Sequence, residues 1–299
     1  MTFLTRFTLL TAVVAALAVP SSAQAAGLVY GMGDEDATMF TTPLFTDLPI
    51  KHVRYVVAYD AALTKNFERQ QADDFLRAAN AQGYEILVSF EHSRLPRKAN
   101  QLPSNAAYQK GVRAFMRRYP YVRTFSPWDE INDCSQPTCR DPQAAAGYYL
   151  TLRKACGGCT VMAAEVLDTT DPAQTVQYLA EYQRALGKAK PTLWGLHNYS
   201  DVNRHTSKGT KAVLGAVKGT VWLTETGGLY KFLPGFPAST SRQVTAEKWM
   251  FTLANRYASR VQRLYVYSWT GGGQFNAGLT NASGLVTRPA YDVVKQQIS

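Results

Sequence analysis

Eight short apolar or β-branched runs, each followed by polar or helix-patterned sequence, constrain this chain more than any other feature. The runs are Leu28–Met32, Val53–Ala58, Glu85–Phe90, Val122–Trp128, Thr160–Ala164, Thr192–Leu196, Thr220–Thr224 and Arg263–Trp269. Between them, apolar residues recur at three- and four-residue spacing over Asp73–Ala81, Asn105–Arg118, Pro142–Ala155, Ala173–Leu186 and Arg242–Ala258. That period marks helices that bury one face. Ser104, Asp141-Pro142 and Asp171-Pro172 supply start signals for three of them. Strands that alternate with helices pair in parallel through βαβ crossovers, so the fold class is α/β. A closed (β/α)8 barrel and an open doubly wound sheet both satisfy the pattern. A dinucleotide-binding sheet is disfavoured, because GMGDED after the first run lacks the third glycine and its helix. The reading is a single (β/α)8 TIM barrel.

Residues 1–26 stand outside that alternation. Arg6, the apolar run Leu9–Val19 and the small-x-small site Ala23-Gln24-Ala25 form a signal-peptide pattern. The run is shorter than the roughly 20 apolar residues of a membrane span. Residues 27–299 are left for the barrel, close to the roughly 250 typical of this fold. A secreted or extracytoplasmic monomer with no membrane contact after cleavage is expected. The four cysteines agree with export: Cys134/Cys139 and Cys156/Cys159 are close pairs that read as two local disulfides, although three pairings are formally open. The CGGC motif follows a helix and enters a strand, the reverse of the redox arrangement. A net charge of +10 favours an acidic or cell-wall glycan as partner. Nucleic acid is not expected, since the basic residues are scattered without aromatic interleaving.

In a barrel, catalytic residues come from the C-terminal ends of several strands. The residues just past the runs are Asp34 and Glu35, Asp60, Glu91 and His92, Asp129 and Glu130, Glu165, His197 and Tyr199, Glu225, and Trp269. Two stand out. The fourth run ends in Ser-Pro-Trp-Asp-Glu-Ile-Asn-Asp and the seventh in Val-Trp-Leu-Thr-Glu-Thr-Gly-Gly, each delivering a carboxylate to the mouth. Retaining cleavage of a glycosidic bond needs one protonated carboxyl for the leaving oxygen and one ionised carboxylate for the anomeric carbon, about 5–5.5 Å apart. Strands four and seven lie on opposite sides of an eight-stranded barrel and can face each other.

These two motifs resemble those of glycoside hydrolase clan A, (β/α)8 barrels with an Asn-Glu acid/base on strand four and a Glu nucleophile on strand seven. The resemblance implies Glu130 as acid/base and Glu225 as nucleophile. It also implies Tyr199 as the hydrogen-bond partner of the nucleophile and Trp269 as the floor beneath the scissile sugar. Arg54 and His92 resemble the strand-two arginine and strand-three histidine of family 5. One position departs from the clan: the asparagine that bonds the sugar 2-hydroxyl is Asp129, which when ionised can accept but not donate.

The expected function is a double-displacement glycosidase acting on a poly- or oligosaccharide. Substrate-binding candidates are Trp269, Tyr199, His197, Asp129, Arg54, His92 and Glu91, while Glu165 and Asp60 serve either sugars or basic loops. The loops Arg94–Leu102, Ser200–Thr210 and Leu229–Ser239 are the expected specificity walls. No cofactor or metal is expected, since His52 and His205 lie away from strand ends and no HExxH spacing occurs. A non-catalytic glycan-binding barrel, motivated by Asp129, and a transglycosylase are the alternatives.

Overall fold

The computed structural model describes residues 27–299, so the expected signal segment lies outside the described residues. Its strands are β1 (Val29–Gly33), β2 (His52–Ala58), β3 (Glu85–Glu91), β4 (Thr124–Ser126), an interrupted β5 (Thr160–Val161 and Glu165–Leu167), β6 (Leu193–His197), β7 (Thr220–Thr226) and β8 (Val261–Tyr267). All neighbouring pairs are parallel, in the order β4-β3-β2-β1-β8-β7-β6. The first part of β5 pairs with β4 and the second with β6. Between the parts, the Met162 N–H donates to the Phe125 carbonyl at 2.9 Å and the Ala163 N–H to the Leu193 carbonyl at 2.8 Å. The strand changes neighbours halfway along, and the barrel closes there.

Local chemistry explains the helices. Asn66, Ser104, Asp141 and Ser239 accept N–H bonds from residues three ahead in the helices Phe67–Ala81, Asn105–Arg118, Pro142–Ala155 and Thr240–Arg256. Arg117 and Arg118, Arg153 and Lys154, Arg184, and Arg256 lie in the last turns, where cations suit the helix dipole. Phe75, Leu76, Phe115, Leu152, Leu179 and Met250 turn inward and are fully buried against the barrel's outer face.

Inside the barrel, Leu87, Met162, Trp222 and Tyr265 form an apolar plug below the mouth. Gly195 on β6 lets Glu165 into the interior, because a Cβ there would stand 2.5 Å from the Glu165 Cγ. The mouth is therefore polar and the lower barrel apolar.

The structure departs from the sequence reading at several elements, among them the fourth strand, which is Thr124–Ser126 rather than Val122–Trp128. The eighth strand is Val261–Tyr267 rather than Arg263–Trp269, and the fifth is interrupted. The expected loop 200–210 holds the helix Tyr199–Arg204 and the start of Lys208–Ala216. A closing helix, Pro289–Ile298, was not anticipated. Cysteines bond locally as Cys134–Cys139 and Cys156–Cys159. Among the described residues no helix is long and apolar enough to cross a membrane.

Glu247, in the helix Thr240–Arg256, is fully buried, and its Oε1 accepts the Gly228 N–H at 2.9 Å. Burial pushes its carboxyl up to about 8, against the pull of that N–H. The folded chain thus holds a proton that the unfolded chain releases near the ordinary glutamate value, so stability falls as pH rises through that window and levels off above about 8. Glu247→Gln keeps the acceptor for Gly228 and cannot ionise. Denaturant unfolding between about pH 5 and pH 8 should show a loss for wild type that exceeds the variant's by a few kcal/mol. Equal slopes would refute the assignment.

Candidate active site

The mouth is organised around Arg54, which β2 carries inward and which is 1% exposed. Its guanidinium donates to Asp129 Oδ1 at 2.5 Å, Glu225 Oε2 at 2.6 Å, Glu165 Oε1 at 3.1 Å and Ser89 Oγ at 3.2 Å. One side chain therefore ties together groups from β3, the β4 turn, β5 and β7. Burial opposes the charge on Arg54, but Glu165, Glu225 and Asp129 hold it protonated. Burial alone would raise Glu165; the charges of Arg54 and His197 reverse that and hold it well below the carboxylate range.

Glu130 follows β4 in a left-handed backbone conformation, φ 42°, which L-residues rarely adopt. The flanking residues pin it: the Asp129 N–H donates to the Phe90 carbonyl at 2.6 Å and the Ile131 N–H to the Glu165 carbonyl at 3.0 Å. His197, at the end of β6, places Nδ1 2.9 Å from Glu130 Oε1 and 3.9 Å from Glu225 Oε2. Those two distances cap the separation of the two oxygens near the lower end of the ~6.5–9.5 Å range of inverting enzymes. Any bend at that nitrogen brings them closer, toward the spacing used for attack by one carboxylate. The Tyr199 hydroxyl donates to the other oxygen of Glu225 at 3.0 Å.

Burial pushes Glu130 above its ordinary value, and the nearby charge of Glu225 adds to this against the pull of His197. His197 is itself raised well above an ordinary histidine: burial opposes its charge, but Glu225, Glu130 and Glu165 surround it. Burial also lifts Asp129, over the pull of Arg54 and His197. Asp129, His197 and Glu225 approach a metal-ligand spacing. The Arg54 guanidinium already lies against all three, 3.2 Å from His197 Nε2, so a divalent ion would have to displace a buried cation.

The cleft has two unlike halves that meet at Glu130 and Glu225. One, of about 610 Å³, is walled by Leu229, Phe232, Phe236 and Phe275, with Asp168 and Arg204 opposite. Much of the wall is a two-stranded antiparallel ribbon, Lys231–Phe232 with Phe275–Asn276, folded from the loops after β7 and β8. The other half, of about 360 Å³, presents Glu35, Glu68, Glu91 and Asp129 with Arg94 as its cation. The cleft thus carries both signs of charge, with Arg204 in one half and Arg94 among the carboxylates of the other.

Of the sequence candidates, Glu130, Glu225, Arg54, His197, Tyr199 and Asp129 converge at the mouth. Trp269 does not. Because β8 ends at Tyr267, Trp269 falls beyond the strand and is fully buried between Phe45 and Tyr291, with no face for a sugar. His92 points to Gln136 Oε1 at 3.0 Å rather than to Glu225. Glu91 lines the acidic half and pairs with Arg94. Glu165 lies beneath the floor, and Asp60 accepts from Ser93 Oγ at 2.9 Å. Sequence reasoning passed over Tyr267, whose hydroxyl donates to Glu35 Oε2 at 3.3 Å. Strand alternation alone could have found it once the end of β8 was placed. Phe232, Phe236 and Phe275 lay in loops, where no periodicity marks a wall. Of the expected walls, Leu229–Ser239 contributes most, 200–210 adds Ser200 and Arg204, and Arg94–Leu102 adds Arg94.

Neither a protein-family model nor a curated protein matches the sequence. Solved structures do match the fold. A family GH128 endo-β-1,3-glucanase of Amycolatopsis mediterranei superposes with TM-score 0.58 at 13% identity, over 90% of this chain and 99% of that one. A β-1,3-glucanosyltransferase of Rhizomucor miehei gives 0.56 at 16% identity, over 88% and 96%. A psychrophilic family 10 endo-β-1,4-xylanase gives 0.59 at 10% identity, over 90% and 96%. The chain thus has the (β/α)8-barrel fold of glycoside hydrolases, the architecture that its strand-four and strand-seven motifs imply.

Proposed function

We propose that this chain is a secreted retaining glycoside hydrolase acting on a poly- or oligosaccharide. The observation that carries the reading is the pairing of Glu130 and Glu225 across one imidazole nitrogen at the barrel mouth. Glu225, held by Arg54 and Tyr199, attacks the anomeric carbon, while Glu130, kept protonated by burial, donates to the leaving oxygen. Once ionised, Glu130 activates water that releases the sugar with net retention. Asp129 does not break the scheme. Asp129 accepts from Arg54 through Oδ1, and its second oxygen can accept from a sugar hydroxyl, the half of the asparagine pattern that needs no N–H.

Transfer to a sugar acceptor is the second reading, favoured by the phenylalanine wall beside Glu130, which sheds water from one half of the cleft. The test is hydrolysis of β-glucans, xylan and mannan, with the anomeric configuration of the first product followed by NMR. A product of the substrate's configuration is expected. An inverted product would refute the mechanism, and longer oligosaccharides accumulating in place of free sugar would favour transfer.

A further inference from the structure

The end of the barrel opposite the cleft carries a second concavity that plays no part in this chemistry. The loops entering β4, β5 and β6 meet there, and the Cys156–Cys159 loop stands between two hollows of about 290 and 250 Å³. Arg113, Arg117 and Arg123 line one hollow and Arg153 and Lys190 the other, with no acidic residue in either lining. All five are exposed. Among the described residues none of the five is ion-paired with a carboxylate. Arg123 alone is engaged by the loop, donating to the Gly158 carbonyl at 3.1 Å.

Five unpaired cations around two hollows repel one another, and an anion that entered would relieve the repulsion. Four of the five are arginines, whose planar forks match carboxylates two bonds at a time. The hollows lie on either side of a covalently closed loop, so one ligand reaching both must be extended and charged at intervals. Stacking platforms for nucleic-acid bases are missing from the linings, whose one aromatic ring, Tyr149, is buried. We infer that this basic groove binds a carboxylated polysaccharide chain, such as a polyuronate, and holds the protein on it while the cleft at the other end stays open. The inference does not depend on what the cleft cleaves.

Affinity electrophoresis of the protein through gels containing polygalacturonate tests it, at low and high salt. The variant Arg113→Gln/Arg117→Gln/Arg153→Gln removes three groove charges; Lys208→Gln/Lys211→Gln/Lys248→Gln removes three exposed charges from outer helices. Wild type and the lysine variant should be retarded, and the groove variant should lose affinity by about tenfold or more. Unchanged thermal melting of both variants confirms intact folds. Equal losses in the two variants would reduce the effect to net charge and overturn the site, as would no retardation of wild type. Retardation by polyphosphate but not polygalacturonate would overturn the carboxylated ligand.

Discussion

Glu225→Ala is expected to abolish turnover, with kcat falling by about 10⁴–10⁶-fold, the scale seen when a covalent nucleophile is removed. The fold should survive. Arg54 loses one carboxylate partner but keeps Asp129 and Glu165, so the melting temperature should move by only a few degrees. The decisive readout is chemical rescue. The vacated space beside the anomeric carbon admits a small anion such as azide, which can attack there while Glu130 still protonates the leaving group. Activity on an aryl glycoside should return with azide, as a glycosyl azide of configuration opposite to the substrate. A variant that stays inert under azide while binding substrate normally would count against Glu225 as nucleophile. Full activity without azide would exclude it.

Arg54→Met should be the most damaging single change to stability. It removes the cation that lies against Glu165, whose side chain has no solvent exposure, and breaking a buried pair from one side costs about 3–5 kcal/mol. Glu165 is held well below the ordinary range, with Arg54 the main cause acting against burial. The pair therefore contributes stability above the unfolded glutamate value and loses it as pH falls through the depressed folded value. In the variant Glu165 takes up a proton, so the gap between wild type and variant should shrink as the medium is acidified below about pH 4.5. Arg54→Lys should fall between the two, because one ammonium cannot reach groups delivered by four strands. Urea unfolding near neutral pH and at about pH 4 reads this out. A gap independent of pH would mean that packing, not charge, is what Arg54 supplies.

Much of this arrangement was legible in the residue pattern, for reasons that can be located. The helices Asn105–Arg118 and Pro142–Ala155 match their sequence reading to the residue, because each is bounded by a side-chain cap, Ser104 or Asp141, and by a clear end to its apolar period. The carboxylates at the ends of β4 and β7 were visible because a barrel delivers strand-end residues to one place whatever the loops do. What failed were inferences about the last residue or two of an element. Reading the eighth strand through to Trp269 placed a large ring at the mouth, when the strand's final side chain is Tyr267. The helix Tyr199–Arg204, one and a half turns long, is too short for periodicity to register. His92 and Glu91 are adjacent in sequence, yet which of them faces the cleft depends on Gln136, a partner that no spacing in the chain announces.

The divided fifth strand bears on how the chain reaches this form. Residues up to Val161 zip as one run of neighbouring parallel strands, and residues from Glu165 onward zip as another. Each step within a run closes a loop of one helix and a turn, an entropic charge that grows only slowly with length. The remaining ladder, β1 against β8, joins the two ends of the described chain. By contact-order reasoning that long-range pairing should come last and set the folding rate. The ions of the mouth are then assembled late as well, since Arg54 belongs to the first run and Glu225 to the second. Nascent half-barrels would expose their unpaired edges until the two meet.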